Sequence, residues 1–480
     1  MDAKAAAKPH GDRDEKTLSA AEIAAWRPAP LTGGDSAAAP AAAGEALWDA
    51  LARHGHGGPE QTGGRHWPIG CVSLEITQRC NLDCTLCYLS DMSEAVQDIP
   101  LAEIFQRIED IAHRYGPGTN VQVSGGDPTL RKREELIAIV ARLAERGMSV
   151  SLLTNGIKAS RDLLRDLANA GLRDVAFHVD LTQERKGFSS EAALNAVRDD
   201  YIARARGLGL RILFNTTVHD DNVAEMPDLV RYFISRADDL HMVSFQLQAD
   251  TGRGVKRARE EGVSAVRMMD DIRAGTGAAL DFDMPLIGHP ECNRYSAVLV
   301  SGGATVPFFE PKAFWRKLFQ AATQHAAHWR ARRKWRGLAA MIAARPDLAL
   351  QGFAHGLNAL WVMRRGLIKT GKVTKLSFLV HNFMDAASLD RGRCESCIFM
   401  VATRDGPMSM CVHNAKRDNE LLKPIRMKKG WWDPLTGTIK PHAADAEAAP
   451  EALPLKRLKG RRRAAALKRR RADAETTQPS

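Results

Sequence analysis

The chain has 480 residues, of which 44% are hydrophobic and 26% charged, with a net charge of +11. This allows more than one ordinary domain and excludes wholesale disorder. Eight cysteines are too sparse for a disulfide scaffold, and the longest uncharged apolar stretch, 348–363, falls short of the ~18 residues of a membrane span. Met1–Lys8 has no apolar signal core, so a cytoplasmic chain with reduced thiols is expected. Charge is local: 311–384 carries 14 Lys/Arg and the single acid Asp347, and 455–471 carries 10 Lys/Arg and no acid. Such segments suit polyanions, either phospholipid headgroups or nucleic acid.

Residues 1–65, rich in Ala, Gly and Pro, predict a disordered leader with one short helix near 46–52. From Cys71 the pattern changes. Strands are expected at Cys71–Thr77, Asn120–Ser124, Ser149–Thr154, Asp174–Asp180, Arg211–Val218 and Met242–Gln248. Between them fall helical periods at Leu101–Tyr115, Lys132–Arg146, Ser160–Ala170, Ser190–Leu208 and Val223–Ser235. Alternation at βαβ spacing predicts a parallel sheet over 66–250, whose working edge is the C-terminal ends of its strands. A connector (251–310), basic Trp-bearing helices (311–375), a cysteine segment (376–440) and a disordered basic tail (441–480) are expected to follow.

The first strand leads into Cys80, Cys84 and Cys87, spaced Cys-x3-Cys-x2-Cys. Clustered thiolates are soft ligands for iron or zinc. Three of them on one loop leave a metal position open, as catalytic sites do. The alternative is a zinc loop completed from a distance.

This segment resembles the radical S-adenosylmethionine (SAM) enzymes over residues 71–250. The resemblance implies a partial (β/α)6 TIM-type barrel followed by an α-rich C-terminal auxiliary domain. It implies that Cys80, Cys84 and Cys87 hold a 4Fe-4S cluster that binds SAM. Reductive cleavage to a 5′-deoxyadenosyl radical, with electrons from a flavodoxin- or ferredoxin-type donor, would then attack an unactivated carbon. Leu86 stands where the family usually has an aromatic residue, and Tyr88 is the nearest ring. The second strand ends in Gly125-Gly126-Asp127-Pro128, which resembles the family's Gly-Gly-Glu-Pro motif for the SAM amino group. Here Asp127 is one methylene shorter. Polar residues at further strand ends, Asn155, Asp180 and Asn215, are expected SAM or substrate contacts. His178 is expected to be structural.

A second thiol group comprises Cys394, Cys397 and Cys411, with Cys292 as the candidate fourth ligand and His289 and His413 in reserve. An auxiliary 4Fe-4S cluster is expected; structural zinc and free thiols are the alternatives. Cys71 is expected to be a buried structural thiol. The His-Pro-x-Cys segment at 289–292, with His381-Asn382-Phe383-Met384-Asp385, resembles the tetraether lipid synthase-like branch of the superfamily, implying a hydrophobic, lipid-type substrate. The alternatives are a methyltransferase acting on a small cofactor, a peptide maturase and, outside enzymes, an RNA-binding protein with a structural metal.

Residues 315, 318, 319, 322, 326 and 329 make one apolar helical face, followed by Arg330, Arg332, Arg333, Lys334, Trp335 and Arg336. A core helix with a solvated basic face is the plain expectation. Peripheral contact with the inner face of an anionic membrane, through Trp315, Trp329 and Trp335, is the functional one. Nucleic-acid contact is disfavoured, since no base-stacking motif accompanies the charge.

Overall fold

The computed structural model describes residues 16–28, 38–254, 263–324 and 343–442. The six expected strands are β1 (Cys71–Thr77), β2 (Asn120–Gly125), β3 (Ser149–Thr154), β4 (Asp174–His178), β5 (Arg211–Val218) and β6 (Leu240–Leu247). They lie side by side in chain order and all run parallel. Helices Leu101–Tyr115, Arg133–Glu145, Arg161–Asn169, Asn195–Ala205 and Met226–Ser235 make the crossovers. A parallel sheet covered on both faces buries whole strands, and β1 is buried at all seven positions. Its neighbours add Val123, Leu152, Phe177, Phe214 and Phe245 to one continuous core. Parallel order brings all six C-terminal strand ends to one rim.

Beyond residue 250 the expected segments are not separate bodies. β7 (Asn293–Ser301), β8 (Ala304–Pro307), β9 (Thr374–Asn382), β10 (Phe399–Thr403) and β11 (Gly406–Ser409) extend the same sheet. β9 adds parallel to β6 and β10 parallel to β1, while β7, β8 and β11 run antiparallel. A six-stranded open sheet exposes two edges of unpaired backbone groups, and the C-terminal extension covers both. The extension is therefore mixed rather than uniformly α-rich. Helices Lys312–Gln324, Pro346–Val362 and Arg364–Thr370 lie between β8 and β9, and a small sheet of β12 (Ile425–Met427), β13 (Gly430–Trp432) and β14 (Ile439–Lys440) closes it. β10 and β11 escaped the βαβ pattern because no helix separates them.

The leader also needs correction over 16–28, where a capped helix Ala20–Ala25 follows the buried Leu18, and over 38–65. Helix Ala39–Arg53 buries Leu47 and Leu51 in the main core, and the Arg65 guanidinium sits 3.5 Å from the Trp48 ring. Alanine is the best helix former and proline is tolerated in the first turn, so Ala39-Pro40-Ala41-Ala42-Ala43 starts a helix where low complexity suggested none. The disorder expected for 1–15, 29–37 and 443–480 lies outside the described residues, as do Trp329, Trp335 and the 330–336 basic run. Trp315 is packed 4.9 Å from Phe308 and 5.1 Å from Phe309, which removes it from the expected interfacial set.

Candidate functional site

The loop after β1 has no regular structure and is fastened from several strand ends. The Gly126 and Asp127 amides donate to the carbonyls of Thr77 and Arg79, each at 2.8 Å. Thr85 N–H donates to Thr182 O at 2.8 Å, Arg253 N–H to Leu89 O at 2.7 Å, and Gly254 N–H to Cys87 O at 3.2 Å. The Tyr88 hydroxyl donates to Gly125 O at 2.5 Å. Loops after β2, β4 and β6 thus position the three cysteines at the rim. The two glycines of the second motif serve this contact: a Cβ on Gly125 (φ +125°) would stand 2.0 Å from Thr77 O, and one on Gly126 would stand 2.1 Å from Arg79 O. Only glycine lets the two backbones approach this closely.

Cys80, Cys84 and Cys87 are half-buried and unpaired with one another. Burial first, then neighbouring thiols, push Cys84 well above the usual thiol range, and Asp180 adds to the effect. Cys80 is raised mainly by burial. Arg253, 5% exposed, lies among them. Burial opposes its charge, but Cys87 and Cys80 more than restore it. Three clustered thiols, with Cys80 and Cys84 raised by burial, beside a buried cation fit a group that draws off their protons and binds thiolate. Among the described residues no three His, Cys, Asp or Glu side chains are arranged to hold a single metal ion.

The remaining site residues divide by burial. Asp127 has no exposed surface, and its carboxylate is committed. It accepts from Thr129 N–H (3.0 Å), the Thr129 hydroxyl (2.5 Å), the Thr154 hydroxyl (2.9 Å) and Asn155 N–H (2.9 Å). Through these partners it binds the end of β3 to the turn after β2, a positioning role beside the ligand contact that the motif suggested. Pro128 follows it in a single 3-10 turn. Asn155 carries that linkage to the cysteines: its Nδ2 donates to Asn81 Oδ1 at 2.7 Å and lies 3.9 Å from Cys80 Sγ. Asp180 is equally buried. It accepts from Thr182 N–H (3.0 Å), the Thr182 hydroxyl (2.5 Å) and Thr217 N–H (2.7 Å), and lies 2.6 Å from His178 Nε2. Burial opposes its ionisation, but His178 and these donors hold its carboxyl far below the usual range. Asp180 is therefore a positioning residue as well, and the imidazole of His178 reaches the rim with its side chain 33% exposed. Asn215 pairs with His178 across β5 and β4 and is buried.

Two arginines were missed. Arg253 follows β6 and carries no motif. Arg417, from a short helix 330 residues beyond the loop, reaches into the sheet. It donates to both oxygens of Glu75 on β1 (2.8 and 2.7 Å), and its guanidinium lies 4.7 Å from the Tyr88 ring. Although burial opposes ionisation of Glu75, Arg417 brings its carboxyl down to about 2.

The second thiol group assembles from three places. Cys292 precedes β7, with its carbonyl accepting from Asn382 N–H at 2.9 Å and its sulfur accepting from Arg393 Nε at 3.2 Å. Cys394 lies in a short helix capped by Asp390, Cys397 precedes β10, and Cys411 lies in helix Met410–Ala415. His289, Cys292, His381, Cys397, Phe399 and Cys411 line one cavity. Burial pushes the Cys292 thiol up to about 11 and Cys411 to about 12. Burial and the other three thiols raise Cys394 as well. Of the reserve ligands, His289 lines this cavity and His413 does not. Cys71 is buried in β1, where Cys397 adds to the rise that burial causes. β1 therefore separates the two thiol groups: Cys397 flanks its first residue and Cys80 follows its last, a span of roughly 20 Å at the strand rise.

Residues 74–233 match the family model of the Radical SAM superfamily. The chain is 26% identical over 197 residues to the 7,8-dihydro-6-hydroxymethylpterin dimethyltransferase of Methanocaldococcus jannaschii, covering 40% of this chain and 38% of that protein. It is 29% identical over 179 residues to the PqqA peptide cyclase of Bradyrhizobium diazoefficiens, covering 36% of this chain and 46% of the other. A Streptococcus suis SuiB structure bound to S-adenosylmethionine aligns over 42% of this chain and 46% of its own, with 14% identity and a TM-score of 0.34. The chain thus spans about half or less of the length of these relatives, and the two curated names are of a methyltransferase and a peptide cyclase, not of a lipid-modifying enzyme. Residues 74–233 thus match a radical SAM domain, and the relatives that resemble this part of the chain are named as enzymes.

Proposed function

We propose that Cys80, Cys84 and Cys87 hold a 4Fe-4S cluster at which S-adenosylmethionine is bound and reductively cleaved, so that an unactivated carbon of the substrate is modified. When bound, the cluster supplies the electron that breaks a carbon–sulfur bond of S-adenosylmethionine, delivered by a donor of flavodoxin or ferredoxin type. The protein's own part is positional. Gly125 and Gly126 seat the cysteine loop, Asp127 and Asn155 tie it to β3, and Arg253 offsets thiolate charge. The observation that carries the proposal is the three-thiol loop fastened at the C-terminal rim of six parallel strands. Cys292, Cys394, Cys397 and Cys411 are proposed to hold an auxiliary iron–sulfur cluster, supported by their burial around one region and the Arg393 donor to Cys292.

For the substrate, the names of the relatives favour a small heterocyclic cofactor receiving a methyl group, or a peptide. A lipid-type substrate draws support from an exposed apolar surface in the extension. The enzyme names of the relatives do not favour the RNA-binding alternative. Anaerobic reconstitution with iron, sulfide, dithionite and S-adenosylmethionine tests the core: 5′-deoxyadenosine or S-adenosylhomocysteine must appear, and neither forming would refute it. S-adenosylhomocysteine selects methyl transfer. A lipid species missing from extracts of a deletion strain selects the lipid reading.

A further inference from the structure

Helix Pro346–Val362 rests on the rest of the molecule along one side only. Leu348 and Met363 are buried, and the His355 ring lies 5.3 Å from Phe314. The opposite side is apolar and open: Leu350 is 71% exposed, Phe353 67% and Trp361 66%, and Ile368 of the following helix is 86% exposed. Leu357 and Leu360 continue the stripe. Scattered exposed apolar residues need no explanation, but a contiguous stripe marks an interaction surface.

Charge says what kind. From 343 to 375 the sequence has six Lys/Arg and one acid, Asp347, and Asp347 is paired with Arg345 at 2.8 and 2.7 Å. Arg364, Arg365, Lys369 and Lys372 are exposed at the C-terminal end of the stripe. The Arg364 guanidinium lies 4.3 Å from the Trp361 ring, an aromatic–cation pair of the kind that sits at headgroup level. The helix is roughly 26 Å long at 1.5 Å per residue, and no described helix is long and apolar enough to cross a membrane. An apolar stripe with a basic border on such a helix suits lying in the plane of an interface.

We propose that the outer face of Pro346–Thr370 docks the enzyme on an anionic phospholipid bilayer, with Phe353 and Leu357 among the acyl chains and Trp361, Arg364, Arg365 and Lys369 at headgroup level. This site is distinct from the half-packed 312–324 helix with Trp315. It goes beyond the proposed chemistry and holds for any of the substrates above.

Co-sedimentation of the full chain with mixed phosphatidylglycerol–phosphatidylcholine vesicles, and with pure phosphatidylcholine, tests it. Binding is expected to the mixed vesicles only, weakening as salt rises. Phe353→Ser/Trp361→Ser, and separately Arg364→Gln/Arg365→Gln/Lys369→Gln, should each lower partitioning about tenfold or more. All these side chains are exposed, so the melting temperature and cleavage of S-adenosylmethionine should not change. Cleavage is read on the same samples, which separates this proposal from the cluster assignment. The proposal fails if wild type ignores the anionic vesicles at low salt, or if both variants bind as wild type does. It also fails if the stripe proves to be the contact in a dimer that Phe353→Ser/Trp361→Ser dissociates.

Discussion

The molecule carries two thiol groups built in opposite ways. Cys80, Cys84 and Cys87 come from one eight-residue loop, held at a rim by amides and carbonyls of neighbouring strand ends. Cys292, Cys394, Cys397 and Cys411 come from three segments spread over 120 residues, brought together by closure of the outer strands. The first group depends on the six parallel strands and their C-terminal loops; the second exists only once β7, β9 and β10 have joined the sheet. Mutations should therefore separate them.

The largest effect expected is on iron. With two 4Fe-4S clusters, the reconstituted chain should hold about 8 iron atoms and the Cys80→Ala/Cys84→Ala/Cys87→Ala variant about 4. Cys394→Ala/Cys397→Ala should also fall to about 4. An iron content of about 4 in wild type, accompanied by one zinc, would turn the second group into a structural zinc site and sharpen the contrast in another direction.

Next comes the bridge between the two regions. Arg417→Met removes the partner of a carboxylate that is buried on β1, and breaking such a pair costs about 3–5 kcal/mol. Chemical denaturation should read this loss directly. The same pair sets an acid limit. With the Glu75 carboxyl held at about 2 rather than its ordinary 4.5, its contribution to stability is full above pH 4.5. It is lost as pH falls towards 2. Wild type should lose stability across that window, and Arg417→Met should lose correspondingly less there.

A smaller effect tests the reassigned role of Asp127. Were it a ligand contact, Asp127→Glu would restore the common form of the motif and tighten S-adenosylmethionine binding. The buried, fully bonded carboxylate predicts the reverse: an extra methylene in a packed turn costs about 1–3 kcal/mol, read as a lower melting temperature together with weaker iron retention. A Glu variant of normal stability and higher affinity would overturn the positional assignment.

Much of this was legible in the sequence because the parallel sheet repeats one device. β1 and β5 have the bounds that alternation and β-branched content predicted, and the cysteine spacing located the loop. The turn after β2 was found, but not its purpose. Its glycines answer to the carbonyls of Thr77 and Arg79, a contact between loops about 50 residues apart. Arg253 and Arg417 left no trace, since a lone arginine in sequence gives no hint of the buried acid or thiol it will meet. The helix at Ala39–Arg53 was hidden by composition: an alanine run is low in complexity and high in helix propensity at once.

The central claim is that only the loop thiols support cleavage of S-adenosylmethionine. It is tested most directly by measuring 5′-deoxyadenosine from Cys80→Ala/Cys84→Ala/Cys87→Ala and from Cys394→Ala/Cys397→Ala, side by side with wild type under dithionite. The account predicts no cleavage product from the first and a yield near wild type from the second. Cleavage at the wild-type rate by the loop variant would contradict it.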